Sequence, residues 1–541
     1  MFINYADLPS HQNLFLDYLY EFENTERFYK INFRDTGKYS EVFENIVSQE
    51  RYHLAELKQI IFEQYSGKQL SKQTQRNIEL LDEPNTIAVV TGQQLGIFGG
   101  PLYTFYKIVT AIKLCSHLKE KFVEYKFVPV FWMEGDDHDF DEVRSLKIID
   151  NGNLLKSINY EDGLDEETNR GSVANIKFNN NIYDLFNELS ESLRDTDFKK
   201  DLIDQLKNYY QPGRTFQEAF SDLLFDFFDD AGLIIFNPTN PKVKKLLKPV
   251  FKKEIEDFRE HSEDVVKTSA ELEEYYHAQV KIKPINIFLQ EDESRYLIEP
   301  VDEEFRLKGK RKKFSKDDLL IMLKEEPERF SPNVILRPIC QDFLFPTGMY
   351  VAGPGEISYF AQVIPMYKEF NLQQPIVYPR SSVTILETQH KNIIEKNNLN
   401  IADFFAEEDT LNEKIINLLS DINIEPIFDK SKKEINEIFE QLKKELEDVD
   451  KTLIDPVEKS RERSVSNLDV QFNKAKGARE RQHETALRQI KKVRSVVYPN
   501  NNLQERELSF IYFANKYGID ILKWVFDQIL INKFEHQIIE L

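Results

Sequence analysis

Apolar positions change their spacing several times along this chain, and each change marks a new element. Up to about residue 83 they recur at intervals of three and four in LFLDYLYEFE, in SEVFENIVSQERYHLAELKQIIFEQY and in SKQTQRNIELL, which predicts amphipathic helices. His53 sits among these helix formers and is given no role. The spacing then breaks. Thr86 to Val90 is a short β-branched run of the kind buried in a parallel sheet covered on both faces. A glycine-rich turn follows, and Leu102, Phe105, Val109 and Ile112 return to helical spacing, so a sheet-packing helix is predicted to open at Pro101. FVPVFWME reads as a second buried strand running into an acidic loop, GDDHDFDE. The unit is βαβ, and both strand ends deliver polar groups.

Further along, RSLKIIDNGNLLKSINY predicts a hairpin in which Asn151-Gly152 supplies the positive φ angles. GRTFQEAFSDLLFDFFDDAGLIIFNP reads as helix, glycine stop and buried strand, with Asn237 at a strand edge where open α/β sheets place ligands. INIFLQEDESRYLIEP predicts a second hairpin and KGKRKK a solvated surface run, within an insertion at about 143–330. The sheet is expected to resume at Val334: Arg337 leaves a short strand into PICQDFLFPTG, and MYVAG is another strand. A helix from Pro354 to Phe370 carries Glu356 in its first turn, and IVY is a last strand ending at Pro379-Arg380-Ser381-Ser382. About five parallel strands with intervening helices amount to an α/β, Rossmann-like doubly wound core over 84–395, with the helical segment 1–83 packed on it.

From 396 to 499 the composition is that of a helical arm. Ile435, Ile438, Leu442, Leu446, Val449 and Leu453 form one seam, and Asp455-Pro456 opens a second helix to about Val496. Some forty helical residues span ~60 Å, too long for the core, so the arm is expected to project as an antiparallel coiled coil. Its leftover apolar residues suit dimerisation; the alternative is an arm packed along its own core. Tyr498-Pro499-Asn500-Asn501-Asn502 turns the chain back, and 500–541 returns to the body.

Composition narrows the class. With 541 residues, two or three domains are expected, and a 41% hydrophobic share with 41 Phe and 24 Tyr is enough for real cores. A formal charge of −22 disfavours nucleic acid and anionic membrane as partners, because the overall field repels both. MFINYADLPSHQN lacks a basic region followed by an apolar stretch, and no apolar run approaches a membrane span, so a cytoplasmic protein is expected. Cys115 and Cys340 are read as packing residues, without a disulfide framework or zinc cluster.

Candidate chemistry gathers at the two strand ends. Gly92, Gly96, Gly99 and Gly100 before a helix N-terminus favour an anion or nucleotide, although such a turn can also serve only tight packing. The pattern is neither a P-loop nor a dinucleotide fingerprint. Gln93, Gln94, Lys107, Arg337 and Arg380 are candidates to hold phosphate or carboxylate. In the acidic loop, Glu134, Asp136, Asp137, His138, Asp139, Asp141 and Glu142 would raise the proton affinity of His138, a candidate general acid/base, and would suit a substrate amine. A divalent metal competes for the same loop, without diagnostic spacing.

The stretches TGQQLGIFGGPLYTFYK and VPVFWMEGDDHDFDEV, then FSPNVILRPICQDFLFPTGMYVAGPGEISYFAQ, PIVYPRSSVTILE, a charged helical stretch and NNNLQERELSFIYFANKYG resemble, in order, the landmarks of the BshC family, the cysteine ligases of bacillithiol synthesis. The resemblance covers nearly the whole chain. It implies a fold similar to the nucleotidylyltransferase and class I aminoacyl-tRNA synthetase group, with a coiled-coil domain. It also implies a ligase that adds L-cysteine to the amine of glucosaminyl-malate. The chain has neither the K-M-S-K-S nor the H-I-G-H motif of those synthetases, so their catalytic residues are not carried over. From the chemistry of the acidic loop itself, His138, Asp137 and Asp136 are the expected catalytic residues. Gln93, Gln94, Glu134, Asp139, Arg337, Asp342, Glu356 and Tyr359 are expected to bind substrate. Thr91, Gly92, Gly96, Gly99, Gly100, Lys107, Arg380 and Ser381 are expected to bind ATP, which can bring Mg²⁺. Asn502, Gln504, Glu505 and Arg506 either line a second pocket or fix the tail. The alternative from another class is a nucleotide-binding dimeric scaffold without ligase chemistry.

Overall fold

The computed structural model describes residues 1–419 and 424–541. The chain forms two units, Met1–Thr384 with Asn502–Ile539, and Ile385–Asn501 with Glu540–Leu541.

The first unit is built on a five-stranded parallel sheet of β1 (Thr86–Gln94), β2 (Lys126–Glu134), β3 (Ile234–Phe236), β4 (Thr347–Ala352) and β5 (Ile376–Pro379), in the order β5-β4-β1-β2-β3. Ile87, Val89, Phe127, Val128 and Val130 are fully buried, as their apolar runs require of strands covered on both faces. The order reverses between β1 and β4, so crossover connections leave in opposite directions there and open a crevice at the carboxyl ends.

Several boundaries differ from expectation. β1 runs to Gln94 rather than Val90, placing Gly92 inside the sheet opposite Trp132. A β-carbon at Gly92 would lie 2.9 Å from the Trp132 carbonyl oxygen, so the close approach of the two strands excludes a side chain. Pro101 is the N-cap of helix α1 (Leu102–Lys121) rather than its first residue. In the first hairpin (Ser145–Ile149 with Leu155–Asn159) the left-handed residue is Asn153, φ 65°, not Asn151-Gly152. β3 lies within 143–330 and belongs to the main sheet. Val334 does not resume that sheet. Phe330–Pro332 instead pairs with Ile287–Glu291 at the edge of a separate antiparallel five-stranded sheet, and Arg337 opens helix α2 (Arg337–Leu344). Helix α3 (Pro354–Glu369) carries Glu356 in its first turn, as expected.

The N-terminal helices close the edges of the parallel sheet. The helical stretch expected over residues 40–65 is two helices, Tyr39–Ser48 and Leu54–Gln64. From the end of the latter, the Tyr65 hydroxyl accepts from Ile235 N at 2.7 Å, and Gln64 exchanges hydrogen bonds with the backbone of Asn237. Asn237 is thereby a structural position rather than a ligand contact. At the other edge the Tyr18 hydroxyl donates to Val377 O at 2.6 Å. Side chains satisfy backbone groups that would otherwise be buried unpaired or left as a template for another strand.

In the second unit, α4 (Glu425–Glu447) pairs with α5 (Ile454–Gln482), and α6 (Glu484–Val497) follows after a break at His483, where one continuous helix was expected. Lys432 pairs with Asp469, Lys443 with Glu458, and Phe428 packs on Phe472, a descending register that makes the hairpin antiparallel. Ile438, Val449 and Val470 remain exposed on it.

Replacing Tyr65 by Phe keeps the ring and removes the acceptor of Ile235 N–H. Urea unfolding is expected to show a loss of about 1–3 kcal/mol, the cost of a buried unsatisfied donor.

Candidate active site

A cleft of about 620 Å³ lies at the carboxyl ends of β1, β2 and β4, where the strand order reverses. Gln93 and His138, from the two expected strand ends, both line it, as do Gln94, Glu134, Asp137, Lys107, Arg337, Glu356, Tyr359 and Arg380.

Lys107, Arg337 and Arg380, buried cations that line the cleft, are each tied to an anion or a phenol. Lys107, from α1, donates to Gly92 O and to Gln93 Oε1 at 2.9 Å and pairs with Glu356 at 2.5 Å. Glu356 also accepts from Tyr350 OH and from Gly353 N. Burial alone would raise its pKa, but Lys107 and these donors hold it below the usual carboxylate range. Arg337 donates to Tyr359 OH at 2.5 Å and Tyr350 OH at 3.2 Å, and its Nε lies 3.5 Å from Glu134. Arg380, 6% exposed, donates to Glu505 Oε1 at 2.6 Å and lies over the Tyr103 ring, and its Nε is buried without a hydrogen bond. Arg506 stands exposed at the mouth, with no hydrogen bond or ion pair from its guanidinium among the described residues.

The carboxylates of the cleft come mainly from the end of β2 and the loop after it. Gln94 Nε2 donates to Asp137 at 2.9 Å and Glu142 at 2.5 Å, bridging β1 to the loop. Asp137 Oδ1 accepts from the amides of His138 and Asp139, and Asp139 caps the short helix Phe140–Val143. Asp139 is thus a loop-builder, not a cleft residue. Arg295 Nη1 lies 3.1 Å from His138 Nδ1. Because arginine can only donate, Nδ1 must accept and the ring proton sits on Nε2. Burial and Arg295 lower the pKa of His138, overturning the expectation that the surrounding carboxylates raise it. Asp136 is corrected too. It is buried against Lys244 at 2.5 Å and does not line the cleft.

Gly92 lines the cleft, but the turn that follows it has no glycine amide free for an anion. Its amides are spent internally, Gly96 N on Gln94 O, Gly99 N on Gly96 O and Gly100 N on Ile97 O, and Leu102 N at the start of α1 donates to Leu508 O. Gly99, at φ 84°, packs against Phe105 and Leu223. Gly96, Gly99 and Gly100 therefore serve packing, as the alternative reading allowed. Thr91 donates to Val351 O. Ser381 N donates to Thr110 Oγ1. Asp342 accepts from Tyr367 OH and Gln341, and burial pushes its pKa up to about 6. None of the three lines the cleft. The helix N-terminus that does is that of α3, through Gly353, Pro354 and Gly355. Sequence reasoning also missed Tyr103, Arg295, Lys281 and Lys283 as lining residues. The only sequence signal for the α3 start was its Gly-Pro-Gly.

The C-terminal candidates resolve in favour of fixing the tail. Asn502 donates to Glu507, and Glu505 is fully buried, accepting from Arg380, Ser382 Oγ and Val383 N, while Gln504 is buried as well. Only Arg506 of the four reaches the cleft. Beneath Glu505, His536 bonds Ser382 and Thr384 through its two ring nitrogens. Among the described residues no group of three or more His, Cys, Asp or Glu side chains is arranged to hold a metal ion, and no helix is long and apolar enough to cross a membrane.

Burial lowers the pKa of both His11 and His536 to about 4. Their unfolded values are near ~6.5, so between those limits the unfolded chain takes up protons that the native chain refuses, and stability falls as pH drops. His11→Phe keeps the ring between Tyr5 and Phe15. Denaturant titrations from pH 7 to 4.5 are expected to show a shallower loss in this variant than in the native chain, by up to ~1.4 kcal/mol per pH unit.

Two family models divide the chain between them. "Bacillithiol biosynthesis BshC, N-terminal Rossmann-like domain" matches residues 1–381, and "Bacillithiol biosynthesis BshC, C-terminal coiled-coil domain" matches residues 383–541. Among similar proteins, one of Salinibacter ruber, named "Putative cysteine ligase BshC", is 34% identical over 99% of this chain and 97% of its own length. Proteins of the same name from Chloroherpeton thalassium and Bacillus cytotoxicus are 32% and 29% identical, over 97% and 91% of this chain and 96% and 91% of their own lengths. With the two models matching nearly all of its residues and a relative 34% identical over 99% of it, the chain belongs to the BshC family of bacillithiol biosynthesis.

Proposed function

We propose that this chain is a cysteine ligase that joins the carboxylate of L-cysteine to the amine of glucosaminyl-malate, after ATP has activated that carboxylate. The observation that carries the reading is the mixed charge of the cleft: Lys107, Arg337, Arg380 and Arg506 line it together with Glu134, Asp137 and Glu142. The cations suit carboxylates and a polyphosphate, and the carboxylates suit an ammonium group. The names of the similar proteins supply the reaction and cysteine.

Joining a carboxylate to an amine in water is uphill, so an activated acyl group is required. ATP supplies it, as an adenylate or an acyl phosphate, and would bring Mg²⁺ with its phosphates. The residues fit an anionic ligand of this kind. The α3 N-terminus opens into the cleft, and Arg506 has no anion of its own there. His138, a neutral ring with its proton on Nε2, is a donor for a developing negative charge rather than an acid. Asp137 holds its loop in place.

Cysteine-dependent exchange between ATP and pyrophosphate is the test. Exchange is the expected result if the adenylate forms, and ADP release without exchange indicates the acyl phosphate. Absence of any cysteine-dependent nucleotide turnover would remove the ligase reading and favour the scaffold alternative. The double variant Asp137→Ala with His138→Ala is expected to lose product formation at least ~100-fold, the usual scale for removing positioned catalytic groups.

The second unit is proposed to pair two chains. Ile438, 63% exposed, Val449, 72% exposed, and Val470 are apolar surface that a second copy would cover. Sedimentation is expected to give twice the chain mass, and Ile438→Asp with Val449→Asp is expected to give the single mass.

A further inference from the structure

Forming an amide from an amine leaves a proton that must go somewhere, and the cleft offers few acceptors. Asp137 already accepts from Gln94 and from the His138 and Asp139 amides, and Glu142 accepts from Gln94. Glu356 is held by Lys107, Tyr350 and Gly353. His138 uses Nδ1 on Arg295 and carries its proton on Nε2, so neither nitrogen is open as a base.

Glu134 differs from all of them. Paired with Gln94 in the β1–β2 register, it sits at the last position of β2 and lines the cleft with a side chain 21% exposed. Its Oε2 is buried and accepts no hydrogen bond; the nearest cation, Arg337 Nε, is 3.5 Å away. A carboxylate with one oxygen buried away from water and donors is a poorer anion and a readier proton acceptor.

We propose that Glu134 is the general base that takes the proton of the amine as the amide bond forms, a role that rests on the ligase reading above. The amine nitrogen attacks the acyl carbon of the phosphate-activated cysteine and the C–N bond forms. The acyl C–O bond breaks, its electron pair leaving with the phosphate or AMP, and the N–H proton passes to the Glu134 carboxylate. The cations that line the cleft, Arg506 among them, receive the leaving anion.

The charged groups around Glu134 come from three elements. Burial raises its pKa to about 7, with Asp136 and Asp137 of its own loop pushing the same way, while Arg337 of α2 and Arg295 of the strand Ser294–Val301 pull it down. A carboxyl group poised there accepts a proton near neutral pH and returns it to solvent after turnover.

The variants Glu134→Gln and Glu134→Asp, with matched melting temperatures, separate this role from binding and folding. Two rates are measured, amide product from cysteine, ATP and glucosaminyl-malate, and cysteine hydroxamate when hydroxylamine replaces the sugar amine, which reports activation by either route. Glu134→Gln is expected to lose product at least ~100-fold while hydroxamate formation stays within about twofold, and Glu134→Asp to recover part of the product rate. In the native enzyme kcat/KM is expected to rise with pH to a bend near 7, and in Glu134→Gln that bend is expected to vanish. Product at the native rate with the bend intact, or hydroxamate lost in parallel with product, overturns the base assignment and leaves the ligase reading standing. A native enzyme that makes neither compound overturns both.

Discussion

A buried charge has to be paired, and much of this molecule is arranged around three cations beneath one cleft. Lys107, Arg337 and Arg380 are almost without solvent, and each would be costly if left alone. Glu356 answers Lys107 from the first turn of α3, where its carboxylate also accepts from Gly353 N and closes the helix start. The hydroxyls of Tyr350 and Tyr359 answer Arg337. Glu505 answers Arg380 from a segment more than a hundred residues away in the chain. The return of the C-terminal segment to the first unit thus completes the charge balance of the site.

The same constraint explains why the carboxylates here are not equivalent. Asp137 and Glu142 are anchored through Gln94, and Asp136 is spent on Lys244 outside the cleft. Glu134 lies close enough to Arg337 to feel it, yet that guanidinium is already turned to two phenols. An incompletely compensated carboxyl group in a low-dielectric site is where proton affinity climbs.

Backbone satisfaction does for the sheet what charge pairing does for the cleft. β3 and β5 are edges, and Tyr65, Gln64 and Tyr18 from the N-terminal helices meet their backbone groups. The glycine turn after β1 follows the same logic. The amides of Gly96, Gly99 and Gly100 bond within the turn, and Leu102 N at the start of α1 is met by Leu508.

The sequence by itself determined the parallel sheet, the helical hairpin and the two strand ends that meet at the cleft. These follow from local pattern: buried β-branched runs, helical spacing and glycine punctuation, each readable within about twenty residues. It also placed Gln93, Gln94, Glu134, His138, Lys107, Arg337 and Arg380 among the candidates, because polar groups at the carboxyl ends of such strands converge whatever joins them. Only the tertiary structure decided which candidates are chemically available. Whether Gly99 cradles a ligand or Phe105, whether His138 gains or loses proton affinity, and whether Asp136 faces the cleft or Lys244 depend on partners such as Arg295, Lys244 and Leu508, far off in the chain. Electrostatics and desolvation are set by what surrounds a group in space, and no local pattern carries that information.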